Sequence, residues 1–376
     1  MEKVRIQSFF ENLLKSVEAE PESFLGFSQA EAPTLGDFLA DLDPQMSLDW
    51  NGVSFQGLPA LRGHAIAQAG LEGVCDPDDV LITAGAAEAN YLALRQLLEP
   101  GDEIIVERPG WPQADVLATS NGAVMREWWR DEASGWSLSL DALEELVTPR
   151  TRMIFLTNPN NPTGQLLDAD MLGQIAAIAA RVGAWVLVDE VYAGLEWDHP
   201  RMPAIAGLYE RGISTGSVSK AYGLQGLRLG WMICRDAGLI RDALVLREYS
   251  SQISNHLGEA IAEIALRPQR RADMLARIRA DSHANLTLLG GFIEAHPKLS
   301  WCPPQGGLIG LVRLHGKILT GDVLAARALQ PEYKTFLISG SSYGLAQHIR
   351  LGVGGGRAAN LQAGLERLAD LLDSFD

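Results

Sequence analysis

The sequence predicts an α/β protein with a large, doubly wound, mostly parallel sheet domain and a smaller α+β domain formed by both termini. The chain has 376 residues, and 47% of them are hydrophobic, which is enough to bury a sizeable core. Between residues 80 and 234, short apolar runs alternate with helical patterns, as they do where helices connect parallel strands. After about Ser254 long helical patterns dominate and a second group of strands follows, which indicates the smaller domain.

The predicted elements of the large domain follow one another in a regular order. Short apolar runs predict strands over residues 80–84, 103–107, 123–128, 153–156, 184–188, 213–217 and 229–234. Gly85, Ala86 and Ala87 open a predicted helix that extends to about residue 98, and an amphipathic pattern predicts another helix over residues 168–182. A ligand of such a sheet is expected at the carboxyl ends of its strands.

The smaller domain is predicted from the last third of the chain. Helical patterns continue to residue 295, strands are expected over residues 308–314, 335–338 and 348–353, and a closing helix over residues 356–372. The first 45 residues hold one amphipathic helix and an irregular acidic stretch, and we expect them to pack against this domain. The predicted division is an N-terminal arm (1–45), a large domain (46–270) and a small C-terminal domain (271–376).

Composition excludes several classes of function. The chain has 47 acidic and 31 basic residues, a net charge of −16, which argues against binding nucleic acid or an anionic membrane. Charged residues interrupt the most apolar stretch (174–194), so no membrane span is expected, and the N-terminus lacks the apolar core of a signal peptide. The cysteines Cys75, Cys234 and Cys302 are few and widely spaced, and the histidines are scattered. We therefore expect a cytoplasmic protein with no disulfide framework and no metal site.

Lysine usage points to one residue. Lys220 is the only lysine between Lys15 and Lys298, and arginine supplies the other basic side chains there. Codon bias would explain the scarcity, but a lysine retained among arginines is also typical of an amine nucleophile, because only lysine can readily lose its proton. A partly desolvated lysine near an arginine has a lowered pKa and can form a Schiff base. Small and polar residues surround Lys220 in the string S-V-S-K-A-Y-G-L-Q-G-L-R (217–228).

Two further strings follow predicted strands. The sequence T-N-P-N-N-P-T-G (157–164) comes directly after a buried strand and is rigid and non-helical, since it contains two prolines and a closing glycine. Asp189 ends the next strand, three residues before Tyr192. A carboxylate at the end of an apolar strand is costly unless a cation pairs with it.

The three strings lie at residues 157–164, 189–192 and 217–228. In this chain order and at this spacing, they resemble the fold-type I pyridoxal-phosphate enzymes, in the class I/II aminotransferase family of the aspartate aminotransferase superfamily. The resemblance covers roughly residues 50–353. It implies the pyridoxal-phosphate-transferase fold type I and a homodimer. It also implies an enzyme that transfers the amino group of an L-amino acid to a 2-oxo acid.

The resemblance also implies roles for individual residues. Lys220 would hold the cofactor as an internal aldimine and then move the substrate proton. Asp189 would pair with the pyridine nitrogen and keep it protonated. Tyr192 and Asn161 would hydrogen-bond the phenolic oxygen of the ring, and Trp111 would stack on the ring face, although a core tryptophan is the alternative for Trp111.

The cofactor phosphate and the substrate carboxylate need further donors. By resemblance, Ser217 and Arg228 would bind the phosphate, and the backbone N–H groups at Gly85, Ala86 and Ala87 suit a dianion at a helix N-terminus. Arg350 would bind the substrate carboxylate through a two-point fork, with Asn161 beside it. Without the resemblance, Arg350 would be interpreted as a surface arginine.

The chain departs from the family pattern at one position. The family commonly has a tyrosine five residues before the glycine of G-x-x-x-L-R, which reaches the phosphate in the partner subunit. Here that motif begins at Gly57, and the position five residues before it is Gly52. The Lys220 string also resembles capreomycidine synthase-type enzymes, so cyclisation, elimination or replacement, and oxidation stay open as alternatives to transamination. The amino acid and its acceptor stay open as well.

Two other features of the sequence suggest different interpretations. The acidic stretch 18–43 could favour a cationic substrate, although an acidic surface is the simpler explanation. The segments 212–216 and 340–344 both match G-x-S-x-G, the nucleophile motif of serine hydrolases. Ser214 falls inside a predicted strand, and Ser342 leaves little chain for the other catalytic groups, so a hydrolase is only a remote alternative.

Overall fold

The computed structural model describes residues 13–15, 18–49, 54–316, 319–354 and 358–375. The strands in chain order are β1 (Ser23–Phe24), β2 (Val80–Thr83), β3 (Glu103–Arg108), β4 (Val124–Trp129), β5 (Thr151–Thr157), β6 (Trp185–Asp189), β7 (Gly212–Ser217), β8 (Gly230–Ile233), β9 (Leu299–Trp301), β10 (Ile309–Leu314), β11 (Thr335–Phe336), β12 (Ile338–Ser339) and β13 (His348–Gly352). The α-helices are α1 (Pro59–Ala69), α2 (Ala86–Leu97), α3 (Gln113–Asn121), α4 (Leu140–Leu146), α5 (Ala169–Ala180), α6 (Ile205–Leu208), α7 (Ala237–Arg247), α8 (His256–Leu266), α9 (Pro268–Ala295), α10 (Gly321–Ala328) and α11 (Ala358–Asp373).

A seven-stranded sheet forms the larger part of the molecule. Its strand order is β2-β8-β7-β6-β5-β3-β4. The strands from β4 to β7 pair in parallel, whereas β8 runs antiparallel to both of its neighbours. The predicted α/β class with a mostly parallel sheet is therefore confirmed, and each predicted strand of this sheet is found within two residues of its expected ends.

Both faces of this sheet are buried, which explains why its strands are apolar throughout. Along β5, Met153 and Phe155 pack into one hydrophobic cluster, which includes residues of α2, α3 and α7. The alternate residues Ile154 and Leu156 pack into another cluster, which includes residues of α4, α5 and α6. Because side chains alternate along a strand, the helices on the two faces require continuous apolar runs in the central strands.

The registers of the central strands bring three polar residues side by side. Thr157 pairs with Asp189 between β5 and β6, and Asp189 pairs with Thr215 between β6 and β7. These residues lie at or near the carboxyl ends of their strands, so the sheet itself aligns the edge at which a ligand is expected.

A smaller antiparallel sheet has the order β12-β13-β10-β9. The predicted strand over residues 335–338 is split, because β11 pairs with β1 whereas β12 pairs with β13. The pairing of β1 with β11 attaches the N-terminal segment to the C-terminal part of the chain. The predicted division into domains stays a prediction, and α9 runs across its boundary at residues 270 and 271.

Several elements differ from what the sequence predicts. The helices α1, α3, α4, α6, α7 and α10 and the strands β1 and β9 were not predicted. α3, for example, has the mixed sequence QADVLATSN, which shows no clear apolar stripe. Most of the predicted N-terminal amphipathic helix and the first residues of the predicted helix 356–372 lie outside the described residues. In the part of the chain that is described, no helix is both long and apolar enough to cross a membrane.

Candidate active site

A cavity of about 310 Å³ lies at the carboxyl ends of β5, β6 and β7. Its lining includes the predicted site residues Ala86, Ala87, Trp111, Asn161, Asp189, Tyr192, Ser217, Lys220, Arg228 and Arg350. The structure also places other side chains in this wall, which the sequence did not single out: Phe27, Ser28, Gln29, Gln113, Thr157, Val191, Ser219 and Gln225. Gly85, the remaining predicted residue, does not line the cavity but precedes the helix that does.

Lys220 lies three residues beyond the end of β7, and its Nζ donates to the Ser28 Oγ at 3.0 Å. Burial lowers the pKa of Lys220 to about 8, and the positive charges of Arg350 and Arg228 act in the same direction. The carboxylate of Asp189 partly opposes these effects. A substantial fraction of this amine is therefore neutral, and hence nucleophilic, near pH 8.

Asp189 ends β6 and is 6% exposed. Its Oδ1 accepts the Val191 backbone N–H at 3.2 Å, and its Oδ2 accepts the Asn90 Nδ2–H at 2.8 Å. Burial raises the pKa of Asp189 to about 6, while the hydrogen bonds from Asn90 and Val191 and the charge of Lys220 oppose that rise. The carboxyl group is therefore predominantly ionised at neutral pH despite its burial.

Tyr192 follows Asp189 by three residues and is 2% exposed. Burial raises the pKa of Tyr192 to about 12, and the charge of Arg350 and a hydrogen bond with Ser28 oppose the rise. The phenol therefore keeps its proton at neutral pH and can act as a hydrogen-bond donor. Ser28 lies between Tyr192 and the amine of Lys220, so it links two groups that the sequence predicted separately.

Arg350 lies on β13 of the smaller sheet and reaches the edge of the larger one. Its Nη1 donates to the Asn161 Oδ1 at 3.1 Å and to the Tyr343 hydroxyl at 2.8 Å. Its Nη2 donates to the Gly26 carbonyl at 2.8 Å. Arg350 and Asn161, both predicted to bind the substrate, are thus in direct contact, and Arg350 is a buried arginine, only 2% exposed, rather than a surface one.

The turn over residues 157–164 is held by its own side chains. The Asn158 amide exchanges two hydrogen bonds with the backbone of Leu167, at 2.9 and 3.0 Å. The Asn160 Oδ1 accepts from the Thr163 backbone N–H at 3.0 Å, and the Asn160 Nδ2 donates to the Pro109 carbonyl at 3.2 Å. This last bond connects the turn that carries Asn161 to the segment that carries Trp111.

The start of α2 forms a cradle for an anion. The first backbone N–H groups of a helix have no acceptor within it, and here those of Ala86 and Ala87 lie at the cavity wall with Ser217 and Arg228. Gly85 has φ +84°, and a Cβ there would lie 2.8 Å from the Arg228 guanidinium. Glycine at this position therefore allows both the backbone turn and the close approach of the arginine.

The acidic stretch 18–43 contributes Phe27, Ser28 and Gln29 to the cavity wall, but its described carboxylates lie elsewhere. Glu22 pairs with Lys334 and Arg367, and Asp41 lies within 3.8 Å of Arg267. The described cavity lining contains no carboxylate from this stretch. The placement agrees with an acidic surface rather than with a pocket for a cationic substrate.

The two serine motifs lack the geometry of a nucleophile turn. Ser214 lies inside β7, and its hydroxyl donates to the Glu190 carboxylate at 2.6 Å. Ser342 lies in a short 3₁₀ turn over Gly340–Tyr343 rather than at the start of an α-helix. A hydrolase nucleophile needs a strand-to-helix turn at the serine, so neither segment supports that alternative.

Sequence reasoning missed Ser28, Asn90 and Tyr343, which contact predicted site residues directly. Ser28 and Asn90 belong to no motif, and Tyr343 occupies a variable position of the segment 340–344, so only the tertiary fold brings these residues to the site. The position of the missing family tyrosine, Gly52, lies outside the described residues.

Comparison with known proteins gives consistent matches over most of the chain. The sequence matches the family described as "Aminotransferase class I and II" over residues 52–368. It is 30% identical to capreomycidine synthase of Streptomyces vinaceus over 78% of this chain and 74% of that protein. It is 28% identical to an aspartate aminotransferase of Streptomyces avermitilis over 84% of this chain and 80% of that protein.

Among solved structures, a PLP-dependent aminotransferase from Streptococcus suis superposes with a TM-score of 0.91. The two proteins are 28% identical, and the match covers 100% of this chain and 99% of that one.

The residues around the cavity fit pyridoxal phosphate by the chemistry of their donors and acceptors. The cradle of Ala86, Ala87, Ser217 and Arg228 offers N–H, O–H and guanidinium donors to a phosphate dianion. A buried carboxylate on the same cavity wall suits a protonated ring nitrogen, and a primary amine of lowered pKa suits the aldehyde carbon.

The lowered pKa of Lys220 leads to a prediction for the cofactor-free protein. We expect its acetylation by acetic anhydride to rise with pH through a midpoint near 8, because the neutral amine is the reactive form. A free lysine side chain would titrate at about 10.4. Peptide mass mapping would measure the labelling of the Lys220 peptide, with Lys220→Arg confirming the assignment.

Arg228→Gln is a matched variant for this experiment. It removes one of the positive charges that lower the pKa, so the midpoint should move upward. A wild-type midpoint close to that of free lysine would contradict the burial and charge effects described here.

Proposed function

We propose a reaction for this chain from the premise that it belongs to the aminotransferase class I and II family. It is a pyridoxal-phosphate-dependent enzyme of that family, as the sequence resemblance predicted. Its proposed reaction is the transfer of the amino group of an L-amino acid to a 2-oxo acid. The observation that supports this reaction is that Lys220, Asp189 and Arg350 line a single cavity.

The proposed cofactor contacts follow from the donors on each wall. Ala86, Ala87, Ser217 and Arg228 would hold the phosphate, with Gly85 allowing their approach. Asp189 would hold a proton on the ring nitrogen, Trp111 would cover the ring, and Tyr192 with Asn161 would donate to the phenolic oxygen. When bound, the cofactor supplies an electron-withdrawing ring that stabilises negative charge at the substrate Cα.

Lys220 is the proposed covalent attachment point and proton carrier. A substantial fraction of the Lys220 Nζ is neutral near pH 8. This amine can therefore accept the proton from the substrate Cα and then donate it to another atom. Ser28, 3.0 Å from the Nζ, would orient the amine. A general base works best when its pKa is near the working pH, and the burial of Lys220 supplies that match.

Arg350 is the proposed anchor of the substrate carboxylate. Its bonds to Asn161, Tyr343 and Gly26 use neutral acceptors and fix the plane of the guanidinium. A guanidinium of fixed plane can meet a carboxylate through two parallel N–H···O bonds, which orients as well as binds.

A second candidate is a cyclisation, elimination or replacement, or oxidation on the same scaffold. The observation that favours it is the similarity to capreomycidine synthase together with glycine at position 52. These reactions would use the same cofactor contacts and the same Lys220 base. They would differ in where the proton and electrons go after the substrate Cα is deprotonated.

The proposed small-molecule partner is the amino acid substrate. We further propose that the protein is cytoplasmic and forms a homodimer with its active sites near the subunit interface. Family membership supports the dimer. The three cysteines are unpaired thiols, which agrees with a reducing compartment. Recovery of the protein only from an exported fraction of its native cells would argue against this location.

The reaction is tested with the holoenzyme and single amino acids in the absence of a 2-oxo acid. Transamination predicts conversion of the cofactor to its pyridoxamine form, with one equivalent of 2-oxo acid released per active site. Absorbance spectra and product chromatography measure both. Ammonia or a cyclic product without any pyridoxamine form would favour the second candidate.

The carboxylate anchor is tested with Arg350→Lys, which keeps the charge but loses the fork. We expect kcat/KM for the amino acid to fall about 10- to 150-fold, the loss that corresponds to one or more hydrogen bonds to a charged group. The matched control is the decarboxylated amine of the same substrate. Its slow reaction should be the same in both proteins, and an equal loss for amine and amino acid would contradict the assignment.

The dimer is tested by light scattering of the holoenzyme at micromolar concentration. We expect twice the chain mass of 40.7 kDa. A single species of the chain mass at that concentration would contradict the proposal.

A further inference from the structure

A chain of hydrogen bonds runs behind Asp189, from α2 through α3 to β7. Asn90 of α2 is completely buried and donates through Nδ2 to the Asp189 Oδ2 at 2.8 Å and to the Gln113 Oε1 at 3.3 Å. The Thr215 hydroxyl donates to the Asn90 Oδ1 at 2.7 Å. The Gln113 Nε2 donates to the Ala87 carbonyl at 2.7 Å. We call Gln113, Asn90 and Thr215 the amide relay.

The direction of every bond in the amide relay is determined by its backbone end. The Ala87 carbonyl can only accept, so Gln113 must turn its NH₂ group towards Ala87 and its oxygen towards Asn90. Asn90 must then present its NH₂ group to Gln113, and the same group faces Asp189. The Thr215 hydroxyl, as a donor, holds the Asn90 carbonyl on the opposite side.

This orientation decides what Asp189 receives. Its Oδ2 receives an N–H from Asn90, and its Oδ1 receives the Val191 N–H. Hydrogen bonds donated to a carboxyl group favour its charged form, whereas burial favours its neutral form. If the Asn90 amide were reversed, its carbonyl would face Asp189, and the contact would then require a proton on the carboxyl group.

We propose that Asn90, oriented by Gln113 and Thr215, is a positioning residue that keeps Asp189 an ionised carboxylate with a fixed orientation at the cavity wall. The proposal rests on the proposed function only for the role of Asp189 at the cofactor ring nitrogen. Through the Ala87 carbonyl the same relay also connects this carboxylate to the residue that contributes to the anion cradle.

Other titratable groups act on Asp189 and are left unchanged by a substitution in the relay. They are Lys220 beyond β7, Glu107 on β3, the adjacent Glu190, and Tyr192. Glu107 is paired with Arg130 at 2.9 Å, and Glu190 accepts from Ser214. A change in the titration of Asp189 after a relay substitution therefore reports on the relay itself.

The test compares Thr215→Val with Thr215→Ser. Valine has nearly the shape of threonine but removes the donor to Asn90, whereas serine keeps that donor. The first measurement is the titration of Asp189 in the cofactor-free protein, followed by NMR of ¹³Cγ-labelled aspartate and assigned with Asp189→Asn. We expect the Asp189 midpoint to move to higher pH in Thr215→Val and to return towards the wild-type value in Thr215→Ser.

The second measurement is the affinity of the cofactor-free variants for pyridoxal phosphate between pH 6 and pH 8.5. We expect Thr215→Val to weaken binding about 5- to 150-fold at the acid end, the range for a buried hydrogen-bonding group left without its partner. The loss should shrink as the pH rises, because Asp189 then ionises without help. Thr215→Ser should bind within about twofold of wild type at each pH, well inside the range of one ordinary hydrogen bond.

The outcomes separate this proposal from the proposed function. An unchanged Asp189 titration in Thr215→Val would overturn the relay, whatever the enzyme catalyses. A shifted titration with unchanged cofactor affinity would support the relay and count against the role of Asp189 at the ring nitrogen. If Thr215→Val does not fold, as judged by circular dichroism, Gln113→Met removes the half-buried end of the relay and should shift the Asp189 midpoint in the same direction.

Discussion

The structure of the site depends on one constraint, which is that a carboxylate must stay charged at the buried end of a central strand. Asp189 has β5 on one side and β7 on the other, and only 6% of it is exposed. Removing a charge from water in this way is strongly unfavourable unless hydrogen bonds and an opposite charge replace the lost hydration. The donors Asn90 and Val191 and the amine of Lys220 supply that replacement, and each comes from a different element of the fold.

The same low-polarity environment has the opposite effect on the amine. Burial and two nearby arginines favour the neutral form of Lys220, while Asp189 favours its charged form. The charge of each group therefore affects the pKa of the other, and an ionised carboxylate and a partly neutral amine coexist near neutral pH. A pair of this kind combines an acceptor for a positively charged ring with a nucleophile that can exchange protons.

Much of the fold could be predicted because its signals are local, whereas completion of the site depends on distant residues. Short apolar runs identified the strands of the large sheet, and the strings around Asn161, Asp189 and Lys220 identified the edge where the cavity lies. The missed partners are far away in sequence: Ser28 lies 192 residues before Lys220, and Asn90 lies 99 residues before Asp189. Tyr343, likewise, lies 182 residues after Asn161. No local pattern can encode contacts that exist only after the two sheets and the N-terminal segment have come together.

The two sheets contribute different parts of the site, and this explains why family membership leaves the reaction open. The elements of the large sheet carry the cradle, the carboxylate and the amine, which line the cavity, and the relay that lies behind the carboxylate. The smaller sheet carries Arg350, and the N-terminal segment adds Gly26 and Ser28. Transamination and its alternatives would use the first set in the same way, so the cofactor contacts do not decide what happens to the substrate afterwards. An aspartate aminotransferase and a capreomycidine synthase accordingly resemble this chain to a similar degree, at 28% and 30% identity, so the likeness alone does not decide between their reactions.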